Sequence, residues 1–533
     1  MIESQKKIFT AINYFNAGKN TEAELECNRL LKENKDDFDA VHLLALVKHK
    51  QEKIKHSISL FKKALKLNPQ STQVQFNLAK VFRENKDYEN AIYYYKLVCN
   101  KSSENLKPWI ELGISFSRGG YYNEATKVFK QVTESDEKNS DLLCELGLAQ
   151  TLSGKLEDAK LTFEKSIKNK QTHSPSWINL AIVHEHMGKI DTALSIYEKI
   201  LSDNKEEYNA SLRQALALLS CCYFDKGWKK YKLRYLWPGI KTLHQKIDKP
   251  FWEGESLTKK LLVWTEQGLG DEIIFGTIIN DLTKDLKGVK IACSKRIQPV
   301  FKEAFPDNEV IPIGNDGIDS KYLKDIEYQA SLTEVASIYR PSEESFKNDG
   351  IFLKSNAKET ERLKKKYRKG RRIPIIGISW RSSNTTAQNQ KSMPLINWES
   401  ILNISPAKFV SLQYGNTNIE KKYFYEKTGL HLLSDNEILP DKNLQDFINQ
   451  VSAMDLVISV SNTTVHVAGA LGIPTWAIVA KGTGRPWYWF HNREKCLWYN
   501  SVKIYNQKYS GEWTEPKYRI KQDLSNWIKD WKI

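Results

Sequence analysis

Apolar positions in the first 235 residues recur with a period of 34. Small residues stand at Ala23, Ser57, Ala91, Ala125, Ala159 and Ala193. Four positions after each comes Cys27, Phe61, Tyr95, Phe129, Phe163 or Tyr197, large in every unit but the first. Twelve positions before the first set stand Ala11, Ala45, Ala79, Gly113, Gly147 and Ala181. Gly18, Gly120, Gly154 and Gly188 mark turns, Trp109 and Trp177 hold an early aromatic position, and Pro69 closes its unit. The pattern predicts paired helices that approach closely at the small residues, with the large residue filling the hole on its neighbour. Six units are in phase. A seventh, degenerate unit carries Ala215, Gly227 and Tyr231 within YFDKGWKKYKLRYLW, and is expected to cap the array and join it to the rest of the chain.

Beyond Pro250 short apolar runs alternate with helical segments. The expected strands are Leu261–Thr265, Val289–Ser294, Glu309–Ile313, Ile375–Trp380, Phe409–Gln413, Leu456–Val460 and Thr475–Ala480. Such alternation implies parallel, doubly wound α/β sheets. Lys358–Arg372 carries nine basic residues against two acidic ones and reads as a solvated helix and linker, with contact to an anionic acceptor or a membrane surface as the alternative. The expected division is a helical superhelix over 1–235, a Rossmann-like half over 250–357, the basic linker over 358–372, and a second Rossmann-like half over 373–533.

Three strand ends carry candidate chemistry. Asp455–Val460 runs into Ser461, Asn462, Thr463 and Thr464, whose side chains favour N-caps, and then into a short helix with His466 one turn inside. A strand, a hydroxyl-rich turn and a helix form an anion site or an ordinary capped βα unit. Near the first strand, Gly268 and Gly270 allow a tight turn that sets Asp271 and Glu272 at a helix start. Asp271 there either favours the helix dipole or serves as a general base. The strand Ile375–Trp380 leads to Arg381, Ser382, Ser383 and Asn384, with Lys391 beyond, groups suited to a diphosphate.

Composition narrows this picture. The 533 residues are 41% hydrophobic with a net charge of +16, which favours anionic partners only weakly because the lysines are spread along helices. The N-terminus lacks the apolar core of a signal peptide, and no run reaches the roughly 18 residues of a transmembrane span. Seven cysteines without a CxxC pair, Cys221 and Cys222 adjacent, read as reduced thiols in a cytoplasmic protein. The Asn-x-Thr matches at Asn384 and Asn462 are then chance sequons. Asp37-Phe-Asp39 mimics a metal-binding DxD, but its place at a unit junction makes it a solvated turn. Neither GxGxxG nor GxxxxGK[ST] occurs. No motif for specific nucleic-acid binding is present.

The 34-residue period and its pattern resemble the tetratricopeptide repeat, an array whose concave groove binds peptides or extended segments. Dimerisation or support of the neighbouring domain is the blander role. Further along, WEGESLTKKLLVWTEQGLGDEIIF, GISWRSSN with KSMPLINW, FVSLQYG and DLVISVSNTTVHVAGALGIPTW come one after another in a familiar order. They resemble bacterial tetratricopeptide-repeat glycosyltransferases related to the heptosyltransferase family and, more distantly, to the O-linked N-acetylglucosamine transferases. The ending RPWYWFHNREKCLWYNSVKIYNQ and the segment FDKGWKKYKLRY extend the likeness over nearly the whole chain.

The resemblance implies a GT-B fold, with a nucleotide-sugar donor held mainly by the C-terminal half and no cofactor or metal. It places a candidate base at Asp271, beside the turn glycines Gly268 and Gly270. Donor-diphosphate contacts map to Asn462, Thr463, Thr464 and His466, with Arg381 or Lys391 neutralising phosphate. Two departures stand out: Ser461-Asn462 replaces the usual Asp-Thr, and Lys391 stands where arginine is frequent. The implied reaction is transfer to a protein Ser or Thr held by the repeat groove, flagellin-type surface proteins being the first expectation. A lipid-linked or lipopolysaccharide-core acceptor at an anionic surface, and a non-catalytic scaffold, are the alternatives.

Overall fold

The computed structural model describes residues 2–101, 104–236, 247–347, 349–382, 388–509 and 511–531. The chain divides into two compact units, Met1–Val183 and His184–Ile533. Ser383 and Asn384, two of the polar residues expected after the strand at Ile375, lie outside the described residues.

The first unit is a series of helical hairpins, beginning with Ile2–Asn16 and Asn20–Glu33 and running to the helix Ser174–His186, which crosses the division. The 34-residue pattern explains its packing. Ala23, Ala91, Ala125 and Ala159, and with them Phe61, Tyr95, Phe129 and Phe163, are fully buried. A β-carbon on Gly113 would lie 2.8 Å from the Phe129 ring, and one on Gly147 2.7 Å from Phe163, so each glycine makes room for an aromatic ring. Asp37 caps the helix Phe38–Lys50 by accepting the Ala40 N–H at 2.9 Å, which accounts for the DxD as a helix start.

The hairpin turns share one left-handed position. Gly18, Gly120, Gly154 and Gly188 have φ of 75–85°, and Glu52, Lys86 and Cys222, at the same position of the 34-residue register, have φ of 61–64°. Glycine marks only some of these turns because repeat packing imposes the conformation even where a side chain resists it.

In the second unit, the helices Ile190–Asp203, Tyr208–Ser220 and Phe224–Tyr231 precede two sheets. The degenerate seventh unit is anchored through Trp228, whose indole Nε1–H donates to the Arg340 carbonyl at 2.8 Å. Strands β1 (Lys260–Trp264), β2 (Val289–Ser294), β3 (Glu309–Ile313) and β4 (Ile326–Ser331) form a parallel sheet in the order β3-β2-β1-β4. Strands β5 (Ile375–Ser379), β6 (Lys408–Ser411), β7 (Leu456–Val460), β8 (Thr475–Val479) and β9 (Val502–Asn506) form a second, in the order β6-β5-β7-β8-β9. The seven expected strands are all present. The sequence pattern misses β4 and β9, both sheet edges, because Glu327, Gln329 and Lys503 interrupt their apolar runs.

The basic segment is more than a solvated linker. Ala357–Arg368 is an amphipathic helix that buries Thr360, Leu363 and Tyr367. Arg368 Nη2 donates to both oxygens of Asp455, at 2.9 and 3.0 Å, and Asp455 also accepts the Ile375 N–H at 2.7 Å. The helix thereby ties β5 and β7 together at their amino ends. No described helix is long and apolar enough to cross a membrane.

Candidate functional site

After β1 the chain turns through Gln267, at φ 68°, and Gly268 into the helix Leu269–Gly276. Its two neighbouring carboxylates part company. Glu272 points inward, accepting from the Thr265 hydroxyl at 2.6 Å, the Ser294 N–H at 2.9 Å and the Ser294 hydroxyl at 2.7 Å, so it ties the ends of β1 and β2. Asp271 reaches back to accept the Gly268 N–H at 3.2 Å and remains half-buried on the open side.

In the second sheet β5 lies between β6 and β7, so the strand order reverses there, the place where open α/β sheets bind ligands. Asn462 occupies that point. Its Oδ1 accepts the Thr464 N–H at 2.9 Å, capping the helix Thr463–Ala470, while Nδ2 donates to Ser379 Oγ at 2.8 Å and the Arg381 carbonyl at 3.0 Å. Gln413, beyond β6, accepts the N–H groups of Trp380 and Arg381 at 2.9 and 2.8 Å. Two amide side chains thus hold the ends of three strands in register.

A cleft of about 680 Å³ opens between these strand ends. Gly268, Gly270 and Asp271 form one wall; Arg381, Lys391, Asn462, Thr463 and His466 form the other. The two walls touch where a β-carbon on Gly270 would lie 3.0 Å from His466 Cδ2, so that glycine is needed for the approach.

Electrostatics separate the groups. Burial pushes the Asp271 carboxyl up to about 6, opposed by the Gly268 N–H and the Lys391 charge. Burial lowers the Lys391 ammonium, with Asp271 opposing the shift, and no hydrogen-bond partner reaches it among the described residues. His466 is stacked on Trp489, ring centroids 5.4 Å apart, with Tyr488 edge-on at 5.5 Å. Burial, helped by the Lys391 charge, holds the imidazole down to about 3, which favours its neutral form.

Of the expected site residues, Gly268, Gly270, Asp271, Arg381, Lys391, Asn462, Thr463 and His466 line the cleft and Thr464 does not. Arg381 lines the cleft with its guanidinium already engaged, Nη1 on Glu420 and Nη2 on the Asn416 carbonyl, both at 2.8 Å. Thr464 is fully buried behind the wall and its N–H is taken by Asn462, whereas no acceptor reaches the Thr463 N–H among the described residues. Ser461 serves structure, its hydroxyl accepting the Trp489 indole N–H at 2.8 Å. The sequence pattern assigns no site role to Tyr488 or Gln413, although both fall inside the motifs that carry the resemblance, and it gives no sign of the apolar residues Leu444 and Phe447, which also line the cleft.

The family comparison bears on the helical part. Residues 42–105 match the tetratricopeptide repeat family. The helical hairpins are tetratricopeptide repeats. A curated relative, Protein FlbA of Caulobacter vibrioides, is 27% identical over 322 residues, 58% of this chain and 53% of the relative. The chain thus spans about half the length of the curated relative it matches. Among solved structures, a tetratricopeptide repeat protein from Parabacteroides merdae is 15% identical, with a TM-score of 0.39 over 44% of this chain and 92% of its own. PilF of Pseudomonas aeruginosa is 16% identical, with a TM-score of 0.33 over 40% of this chain and 96% of its own.

Proposed function

We propose that the protein is a glycosyltransferase with a GT-B arrangement, moving a sugar from a nucleotide-sugar donor to an acceptor hydroxyl. The observation that carries this reading is the cleft in which Asp271, at about 6, faces Lys391 across the carboxyl ends of two parallel sheets. A carboxylate poised near neutrality is suited to general-base work, and an ammonium with no partner among the described residues, lining the same cleft as the Thr463 N–H, is suited to a diphosphate. In the reaction proposed, the acceptor hydroxyl gives its proton to Asp271 and its oxygen bonds to the anomeric carbon. The bond from that carbon to the diphosphate breaks, and the electron pair leaves on the diphosphate, where Lys391 and Thr463 N–H meet it. Displacement from the opposite face inverts the configuration. Tetratricopeptide repeats support a protein acceptor, presented through Ser or Thr.

A second reading, a non-catalytic repeat scaffold, draws on Arg381 being neutralised by Glu420. One screen separates the two. Full-length protein is incubated with nucleotide sugars and release of nucleoside diphosphate is followed, with Asp271→Asn and Lys391→Met alongside. Transferase function requires turnover with at least one donor, a loss of about 100-fold or more in Asp271→Asn, and weaker donor binding in Lys391→Met. No binding of any nucleotide sugar, or wild-type rates in both variants, would overturn it.

A further inference from the structure

A second group of charges lies outside the cleft and plays no part in the proposed transfer. After β8 the chain forms the turn Lys481–Gly482–Thr483–Gly484–Arg485, with Gly482 at φ 84°. A β-carbon on Gly482 would lie 3.0–3.2 Å from the His186 ring, so the glycine lets an imidazole sit flat against the loop backbone. Lys481 N–H donates to Gln507 Oε1 at 2.9 Å, and Arg485 Nη1 to Asn506 Oδ1 at 2.7 Å. Arg485 Nη2 donates to the Trp489 carbonyl at 2.9 Å and to the Phe490 carbonyl. His491 closes the group from the far side, its backbone N–H on the Ser220 carbonyl at 2.8 Å.

The group is positive and its donors are incompletely used. Burial, helped by the charges of Arg213 and Lys481 on His186 and of Arg485 and Lys481 on His491, holds each histidine down to about 4, so both are neutral and the positive charge rests on Lys481 and Arg485. Glu185, the neighbouring carboxyl, is committed elsewhere: it accepts the Tyr197 hydroxyl at 2.6 Å, and burial pushes it up to about 7. Cys221 beside Arg485 is a thiol pushed up to about 11 by burial, so it brings no charge. Three buried nitrogens of the group have no hydrogen-bond partner among the described residues: Gln507 Nε2, Arg485 Nε and His186 Nδ1. Gln507 is 3% and His186 7% exposed, so water reaches these atoms poorly. Collecting cations and leaving buried donors unsatisfied costs stability unless an anion completes the site.

We propose that the Lys481–Arg485 loop, with His186, His491 and Gln507, binds an oxyanion, a phosphoryl or carboxylate group. The bond set it would supply is Lys481 Nζ, Gln507 Nε2, Arg485 Nε and a histidine N–H, all donors. The site is built on the same unit as the cleft and adjoins it, since a β-carbon on Gly484 would lie 3.0 Å from Cβ of Gln390, the residue before Lys391.

The test is calorimetric titration of the full chain with sodium phosphate and, separately, sodium acetate at low chloride. Lys481→Met removes an ammonium that bonds no other side chain among the described residues and should fold, while Lys391→Met controls for the cleft. The proposal expects saturable binding of one of the two anions by wild type and by Lys391→Met, weakened about tenfold or more in Lys481→Met. Preference for phosphate identifies a phosphoryl ligand and preference for acetate a carboxylate. Equal binding in Lys481→Met, loss only in Lys391→Met, or no binding of either anion at millimolar concentration would overturn the site. Because Lys391 and Asp271 take no part in it, that failure would leave the transferase reading standing, and the reverse holds equally.

Discussion

Gly270 and His466 approach so closely that a β-carbon on the glycine would lie 3.0 Å from the imidazole Cδ2. This contact seats the helix carrying Asp271 against the helix that begins at Thr463. The ring has little room to give, being stacked on Trp489 and flanked by Tyr488. Gly270→Ala is therefore expected to cost about 1–3 kcal/mol and to weaken nucleotide-sugar binding about tenfold. Thermal melts and ligand titration check it; wild-type affinity would show that the close approach is dispensable.

Asp271 links pH to both stability and rate. Its carboxyl titrates near 6 in the fold against 3.8 ordinarily. Between those values the native protein holds a proton that the unfolded chain has lost, so stability rises as pH falls through this window, and the ionised group costs stability above it. Asp271→Asn should stabilise the protein at pH 8, by no more than about 3 kcal/mol for two units, and the gain, read from thermal melts, should vanish near pH 4. Transfer by the wild type should fall as pH drops below about 6. A stability gain that is the same at both pH values would contradict the burial account.

The left-handed turns offer a purely conformational test. Lys86, at φ 62°, occupies the position held by Gly120 one repeat later. A side chain there costs about 1–2 kcal/mol, part of which glycine's backbone entropy offsets. Lys86→Gly should stabilise the protein by about 0.5–1 kcal/mol in urea denaturation, while Gly154→Ala should destabilise it by about 1 kcal/mol. Destabilisation by Lys86→Gly would mean that the lysine makes compensating contacts.

Arg234 is buried at 2% exposure where β1 and β4 diverge, donating to Glu266 at 3.0 Å, Ser331 Oγ at 2.8 Å and Thr333 Oγ1 at 2.6 Å. Removing one partner of such a pair leaves an uncompensated buried charge. Arg234→Met should cost about 3–5 kcal/mol, and Glu266→Gln added to it should recover part of the loss. If the two substitutions simply add, as urea midpoints would reveal, the pair is not coupled.

Legibility in the sequence depends on how local each determinant is. Tyr95 and Ala91 lie on one helix, and the 34-residue period relates them to their counterparts, so repeat packing is visible from spacing alone. The apolar runs of β1 and β7 are equally plain because both faces of a parallel strand are buried. At the site, Asp271 and Asn462 are legible as residues beyond strand ends. The pairing that decides what Arg381 can do is not, because Glu420 lies 39 positions away. Nor is the neutral state of His466, which depends on burial among Tyr488, Trp489 and Tyr499.

By itself the sequence determined the repeat array, the two sets of parallel strands and the strand-end positions where chemistry can sit, all consequences of short-range periodicity. Only the tertiary structure decided which of those groups keep a free charge or donor. Lys391 stays unpaired among the described residues while Arg381 is claimed by Glu420, and Thr463 N–H stays open while Thr464 N–H is capped. Free charge in a cleft is set by what packs beside it, and that is a property of the fold.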